Sequence, residues 1–171
     1  MKTKQEKMKR IRVKVGDVCA IPLGNGYYAY AHSIDDVIKD GRAHYYVIYD
    51  HLSNIFPELQ ELTKNNIIVL ICTVDVFIEN HSWPLVGNIA PPSGITIPNY
   101  IVNRFKDGNE QIMVVDHHGK YLREATIDDK RNLSYQSSFS PIVLEDVAKY
   151  KLLGKGRYLP YMDKIFYSGT K

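Results

Sequence analysis

The chain has 171 residues, 44% hydrophobic and 24% charged, the balance of a folded globular protein rather than a disordered one. Two cysteines exclude a disulfide framework, and no four Cys and His residues stand at zinc-motif spacing. The net charge of +3 is uneven: residues 1–14 hold seven Lys and Arg against Glu6 alone, so the remainder is net negative.

Residues 1–10 read as a basic leader and 11–171 as a single globular domain. No apolar stretch follows the basic start, as a secretory leader would require. The longest apolar run, 67–78, contains Asp75 and is too short to span a bilayer. These features predict a cytoplasmic protein with reduced cysteines and no membrane partner.

Residues 11–23 read as a strand broken at Gly16-Asp17. Gly24-Asn25-Gly26 is a hairpin turn, because glycine and asparagine tolerate positive φ. The same residues match the dinucleotide pattern GxGxxA, but that pattern needs a helix after the turn, and a Tyr-rich strand over 27–34 follows. Asp40-Gly41 turns into a strand over 43–50, completing an antiparallel meander. A short helix is expected within 53–63. Residues 67–78 form the strongest strand, with Ile68, Leu70, Cys72, Val74, Val76 and Ile78 as its better apolar face, so it belongs in the middle of a sheet.

A Pro-rich connection through Pro91, Pro92 and Pro98 leads to strands over 111–117 and 121–127, with a turn at His118-Gly119-Lys120. Residues 128–139 read as polar loop. Ser140-Pro141 supplies an N-cap and a first-turn proline, Val143, Val147 and Tyr150 repeat at helical spacing, and Gly154 stops the helix. An aromatic tail ends the region 140–171. The pattern predicts an α+β, β-rich fold built on a bent, mainly antiparallel sheet, with a partly open SH3-like barrel as one way to close it, and a C-terminal helix.

No catalytic constellation emerges. There is no GxSxG elbow, and Cys19 and Cys72 read as buried structural thiols. Asp75 reads as a hydrogen-bonded structural aspartate rather than a perturbed catalytic one. Asp116-His117-His118, with His81, carries no metal-motif spacing. Neighbours on a strand point to opposite faces, so these residues read as ordinary turn residues. No enzyme activity, metal or cofactor is expected.

The 13 tyrosines stand out against 5 phenylalanines and 1 tryptophan. Tyr27, Tyr28, Tyr30, Tyr45, Tyr46 and Tyr49 crowd two neighbouring strands. Tyrosine offers a large contact area, a polar tip and few rotatable bonds, which suits a binding surface. Asp35, Asp36 and Asp40 form an acidic rim beside it, suited to a basic protein partner and repellent to nucleic acid. Tyr28, Tyr30, Asp35, Asp36, Asp40 and Tyr46 are therefore the candidate partner-binding residues.

Lys14-Val15-Gly16-Asp17-Val18-Cys19-Ala20-Ile21-Pro22-Leu23, followed by Gly26-Tyr27-Tyr28-Ala29-Tyr30, resembles the opening signature of the immunity protein 26 family. Trp83-Pro84-Leu85-Val86-Gly87-Asn88, with Pro91, resembles its second signature. The resemblance covers roughly residues 12–100. Cys19 departs from a larger apolar residue, and His32 from a glycine that often follows the aromatic strand. The resemblance implies a β-rich, non-enzymatic immunity protein of a bacterial polymorphic-toxin or contact-dependent competition system. Such a protein binds and blocks a cognate toxin domain in the producing cell, and the acidic rim suits a basic one such as a nuclease. The alternative is a small SH3-like nucleic-acid-binding module, gripping phosphate with residues 2–14 and stacking bases on tyrosines. The negative balance of the remaining chain argues against it.

Overall fold

The computed structural model describes residues 11–37 and 42–167. Five strands form the first sheet: β1 (Asp17–Gly24), β2 (Tyr27–Asp36), β3 (Ala43–Tyr49), β4 (Ile67–Val74) and β5 (Leu85–Asn88), in the order β4-β3-β2-β1-β5. A second sheet is the meander β6 (Tyr100–Lys106), β7 (Asn109–Val115) and β8 (Tyr121–Glu124). All pairings between these strands are antiparallel. Four helices complete the described chain: α1 (Leu59–Leu62), α2 (Val76–Glu79), α3 (Ile127–Asn132) and α4 (Pro141–Leu153), followed by a 3-10 turn over Pro160–Lys164. The fold is α+β and strand-rich, as the sequence predicts. The sheets do not close into a barrel: β4 and β5 stand at opposite ends of the first sheet. No helix among the described residues is long and apolar enough to cross a membrane.

Alternation along β1–β3 sends side chains to both faces of the first sheet, and both faces are covered. One face packs Cys19, Ile21, Ala29, Ala31, Tyr46 and Ile48 against Trp83 and against Leu144, Val147 and Ala148 of α4. The other buries Val18, Ala20, Tyr30, Val47 and Tyr49 with Leu62 of α1, and Ile89 and Ile95 pack onto it. The tyrosines of β2 and β3 thus enter a two-sided core.

The strand predicted over 67–78 is shorter and differently placed. It ends at Val74, and Asp75 starts the single turn of α2. β4 lies at an end of the sheet rather than in its middle. Its buried face is Val69, Ile71 and Thr73, while Val74 of the opposite face is exposed. The strand remains apolar because the C-terminal region covers its outer edge. Phe139 N donates to Cys72 O (2.8 Å), Leu70 N to Ile165 O (2.9 Å) and Tyr167 N to Ile68 O (3.0 Å). Those bonds satisfy backbone groups that an end strand otherwise leaves to solvent.

β5, β6 and α3 lie where the sequence reading places no element. β6 pairs in unbroken register with β7 through a turn at Asp107-Gly108, both with positive φ; that Asp-Gly dipeptide was the available hairpin signal. α3 begins at a reciprocal capping box between Thr126 and Asp129, inside the stretch read as polar loop. α4 runs as predicted from Pro141 to a left-handed Gly154 at φ 61°, although the Ser140 side chain makes no capping bond.

Candidate functional site

β2 carries four of the predicted contact residues, Tyr28, Tyr30, Asp35 and Asp36, and it separates them; Tyr46 lies on β3. At its start, Tyr28 pairs with the loop after β3: Tyr28 N donates to Ser53 O (2.8 Å), and Ser53 N returns a bond to Tyr28 O (3.3 Å). That pairing lays Ile55 and Phe56 beside the hairpin, and the Tyr28 and Phe56 rings meet edge to face at 5.3 Å. Tyr27, Ile55 and Phe56 are exposed and Tyr28 is half-buried, so this end presents an aromatic and aliphatic patch. Tyr30 lies beneath it. Its hydroxyl donates to Ile55 O (2.9 Å) and lies 2.8 Å from Ser53 Oγ, which pins the loop from below.

Tyr30 and Tyr46 are 0% exposed. They are core residues and have no surface to offer a partner, which corrects their assignment as contacts. An aromatic strand reads alike whether one face or two faces are covered. Asp35 and Asp36 lie at the far end of β2, opposite Tyr45 and His44, about 23 Å from Tyr28 at about 3.3 Å per residue. The tyrosine patch and the acidic end are therefore two sites. Asp40 lies outside the described residues.

His32 occupies the position where the family pattern often has glycine, and β2 continues through it without a turn. Its Nε2 donates to Ile89 O (3.0 Å), so Nδ1 accepts from the Tyr49 hydroxyl (2.7 Å). Burial pushes its pKa down.

A buried polar chain runs through the first sheet. Ser33 Oγ lies 2.9 Å from His44 Nδ1, His44 Nε2 lies 3.4 Å from Asp75 Oδ2, and the Tyr46 hydroxyl donates to Asp75 Oδ1 (2.8 Å). Burial raises the Asp75 carboxyl to about 7, partly offset by the Tyr46 bond. Burial lowers the His44 pKa. The chain has the residue types of a nucleophile, base and orienter, but Ser33 has no exposed surface and His44 and Asp75 are buried. A substrate does not reach the hydroxyl, and the arrangement satisfies buried polar groups. Asp75 is thus both perturbed and structural. Ser33 and His44 carry no motif that singles them out.

Both cysteines are buried and free. Burial pushes the Cys19 thiol well above its ordinary range and the Cys72 thiol up to about 11, so neither is a ready nucleophile. A cleft of about 720 Å³ is lined by Tyr100, Lys130, Arg131, Tyr135, Lys164 and Phe166. The one carboxylate on its wall, Asp163, accepts from the Tyr158 hydroxyl.

His117 and His118 correct the sequence reading. They follow β7 in a turn rather than occupying a strand, so alternation does not separate them. Their ring centroids are 4.1 Å apart, and both approach the same oxygen of Asp35. His117 Nε2 donates to Oδ2 at 2.9 Å, and His118 Nε2 lies 3.5 Å from it. These three residues can present three donor atoms within 4.8 Å of one another. His81 sits in the turn after α2, outside the cluster.

The family model described as Immunity protein 26 matches residues 14–109, more than half of the chain. The match spans β1 through β6, and so the whole first sheet, the hairpin-end patch and Asp35. No curated protein and no solved structure matches the chain.

Proposed function

This chain belongs to the immunity protein 26 family, and we propose that it neutralises a cognate bacterial toxin by stoichiometric binding, without catalysing a reaction. The match over residues 14–109 carries this reading. The contact is the hairpin end of the first sheet, where Tyr27, Tyr28, Ile55 and Phe56 supply the aromatic and aliphatic anchors on which interface energy concentrates. Occlusion of the toxin active site is the mechanism. Asp35 and Asp36 at the other end of β2, with Asp40 following in the sequence, favour a basic partner such as a nuclease domain and draw it in at long range. The protein acts in the cytoplasm of the toxin-producing cell.

The test is co-expression with the toxin domain encoded beside this chain, followed by size exclusion and a survival assay. A one-to-one complex and rescued growth are expected. Absence of both overturns the reading.

A further inference from the structure

We propose that Asp35, His117 and His118 form a transition-metal site of the zinc type, which ties the second sheet to the first. The donors come from two places far apart in sequence, Asp35 and His117 being 82 positions apart. Asp35 is the next-to-last residue of β2 in the first sheet, and the two histidines sit in the β7–β8 turn of the second. Donor atoms bound at zinc distances of about 2.0–2.1 Å stand about 3.3–3.5 Å apart in a tetrahedron. The separations of 2.9 and 3.5 Å from Asp35 Oδ2 to the two Nε2 atoms bracket that range. The third separation, between the two histidine donors, lies within 4.8 Å, and an ion draws the rings together.

The donor set selects the kind of ion. Two imidazoles and one carboxylate suit zinc and its first-row neighbours, whereas calcium and magnesium require oxygen shells. Three protein ligands leave a fourth position for water. The side chains of Asp35, His117 and His118 are 32%, 25% and 44% exposed, so an ion has a route in.

The surroundings hold each donor in place. Asp35 Oδ1 accepts from Asp36 N (2.9 Å), which leaves Oδ2 facing the rings. The His117 carbonyl accepts from the Tyr45 hydroxyl (2.9 Å) and from Gln136 Nε2 (3.0 Å). The Tyr45 ring meets His117 edge-on at 5.7 Å. Asp116 Oδ1 accepts from His118 N (3.0 Å) and Lys120 N (2.9 Å), which shapes the turn. These contacts fix the backbone of the turn that carries both rings and leave one Asp35 oxygen turned to them, and a hydrogen-bonded carboxylate of this kind is an oriented metal ligand. Asp35 lies within the family match and the histidines beyond it, so the complete site needs the part of this chain that follows the matched stretch.

The experiment uses the untagged full-length chain, stripped of metal and titrated with zinc by calorimetry and with cobalt by visible absorption. One ion per chain, binding at micromolar concentration or tighter, is expected, with an intense cobalt band of low coordination number and a zinc-dependent rise in melting temperature. His118→Ala lies on an exposed turn and keeps the fold. It and Asp35→Asn should weaken binding at least about 100-fold and abolish the thermal shift, since even outer-contact losses cost about 10- to 100-fold. His81→Ala should bind like the wild type. Failure of the wild type to bind in this range overturns the site, as does equal affinity in the wild type and His118→Ala.

Discussion

Asn88 Nδ2 donates to Asp17 Oδ1 at 2.8 Å, and the two residues face each other across the β1–β5 pairing. The other Asp17 oxygen accepts from Lys14 N at 2.8 Å. This contact joins the two sequence signatures, 14–23 and 83–88, at one corner of the first sheet. Gly16 completes the corner: its N donates to Ser33 O (2.8 Å) and its carbonyl accepts from Ile89 N (2.9 Å). These signature residues build the fold; of the exposed patch, Tyr27 and Tyr28 belong to the opening signature, and Ile55 and Phe56 lie outside both.

Gly16 has φ +94°, and a Cβ there would meet Ile89 O at 2.8 Å and Asn88 Nδ2 at 2.9 Å. Both neighbours are already bonded, so neither yields cheaply. Gly16→Ala should destabilise the protein by about 2–4 kcal/mol, from left-handed strain plus the clash. Urea unfolding measures it, and a loss below about 0.5 kcal/mol, typical of an indifferent surface site, contradicts the role given to this glycine.

Asp75 should leave a signature in the pH dependence of stability. Its folded pKa of about 7 exceeds the ordinary value of 3.8. Between those values the folded chain keeps a proton that the unfolded chain releases. The stabilisation is therefore full at low pH and is lost as pH rises through about 7. Asp75→Asn keeps an acceptor for Tyr46 and removes the titration. The variant should gain on the wild type by on the order of 3–4 kcal/mol between pH 4 and 8. His32 and His44, pushed down by burial, act oppositely: their contribution is present above about pH 6.5 and falls away below it. Both proteins retain His32, whose contribution cancels in the difference; His44 Nε2 lies 3.4 Å from Asp75, so the difference reads Asp75 together with its effect on His44. Unfolding curves at several pH values test this, and a pH-independent difference refutes it.

Exposure separates binding variants from folding variants. Phe56→Ala and Tyr28→Ala should each weaken the toxin complex about tenfold or more, at about 1.4 kcal/mol per decade. Tyr46→Phe should leave affinity unchanged and cost about 1–3 kcal/mol of stability, because Asp75 loses its hydroxyl donor. Paired calorimetry and urea unfolding distinguish the outcomes. Loss of affinity in Tyr46→Phe alone would move the contact away from the hairpin end.

Charge steering is read from kinetics. The association rate should fall as salt rises from about 50 to 500 mM, and Asp36→Asn should flatten that dependence without a matching change in dissociation. Asp36 serves better than Asp35, whose carboxylate also faces the two histidines. A salt-independent rate removes steering and leaves the apolar contact standing.

Local features were legible from residues alone. The turn at Gly24-Asn25-Gly26 requires positive φ at all three positions, and they have 92°, 53° and 77°. The limits of α4 follow from a proline that suits only the first turn and a glycine that tolerates the left-handed exit. β6 and α3 were written in the same local code, in Asp107-Gly108 and in Thr126 with Asp129. The binding surface was not legible in that way. Tyr28, Tyr30 and Tyr46 are the same residue type on strands of similar pattern, yet only Tyr28 keeps exposed surface.

The amino-acid sequence by itself determined the β1–β3 meander, its hairpin, the terminal helix and the family, because φ preference, side-chain alternation and signature order act over a few residues. Tertiary structure decided which tyrosines are core, that β4 is an end strand covered by residues 139 and 165–167, and that Asp35 meets His117 and His118. Each of those outcomes depends on what packs against a face or an edge from a distant part of the chain, and a local period cannot encode the identity of that neighbour.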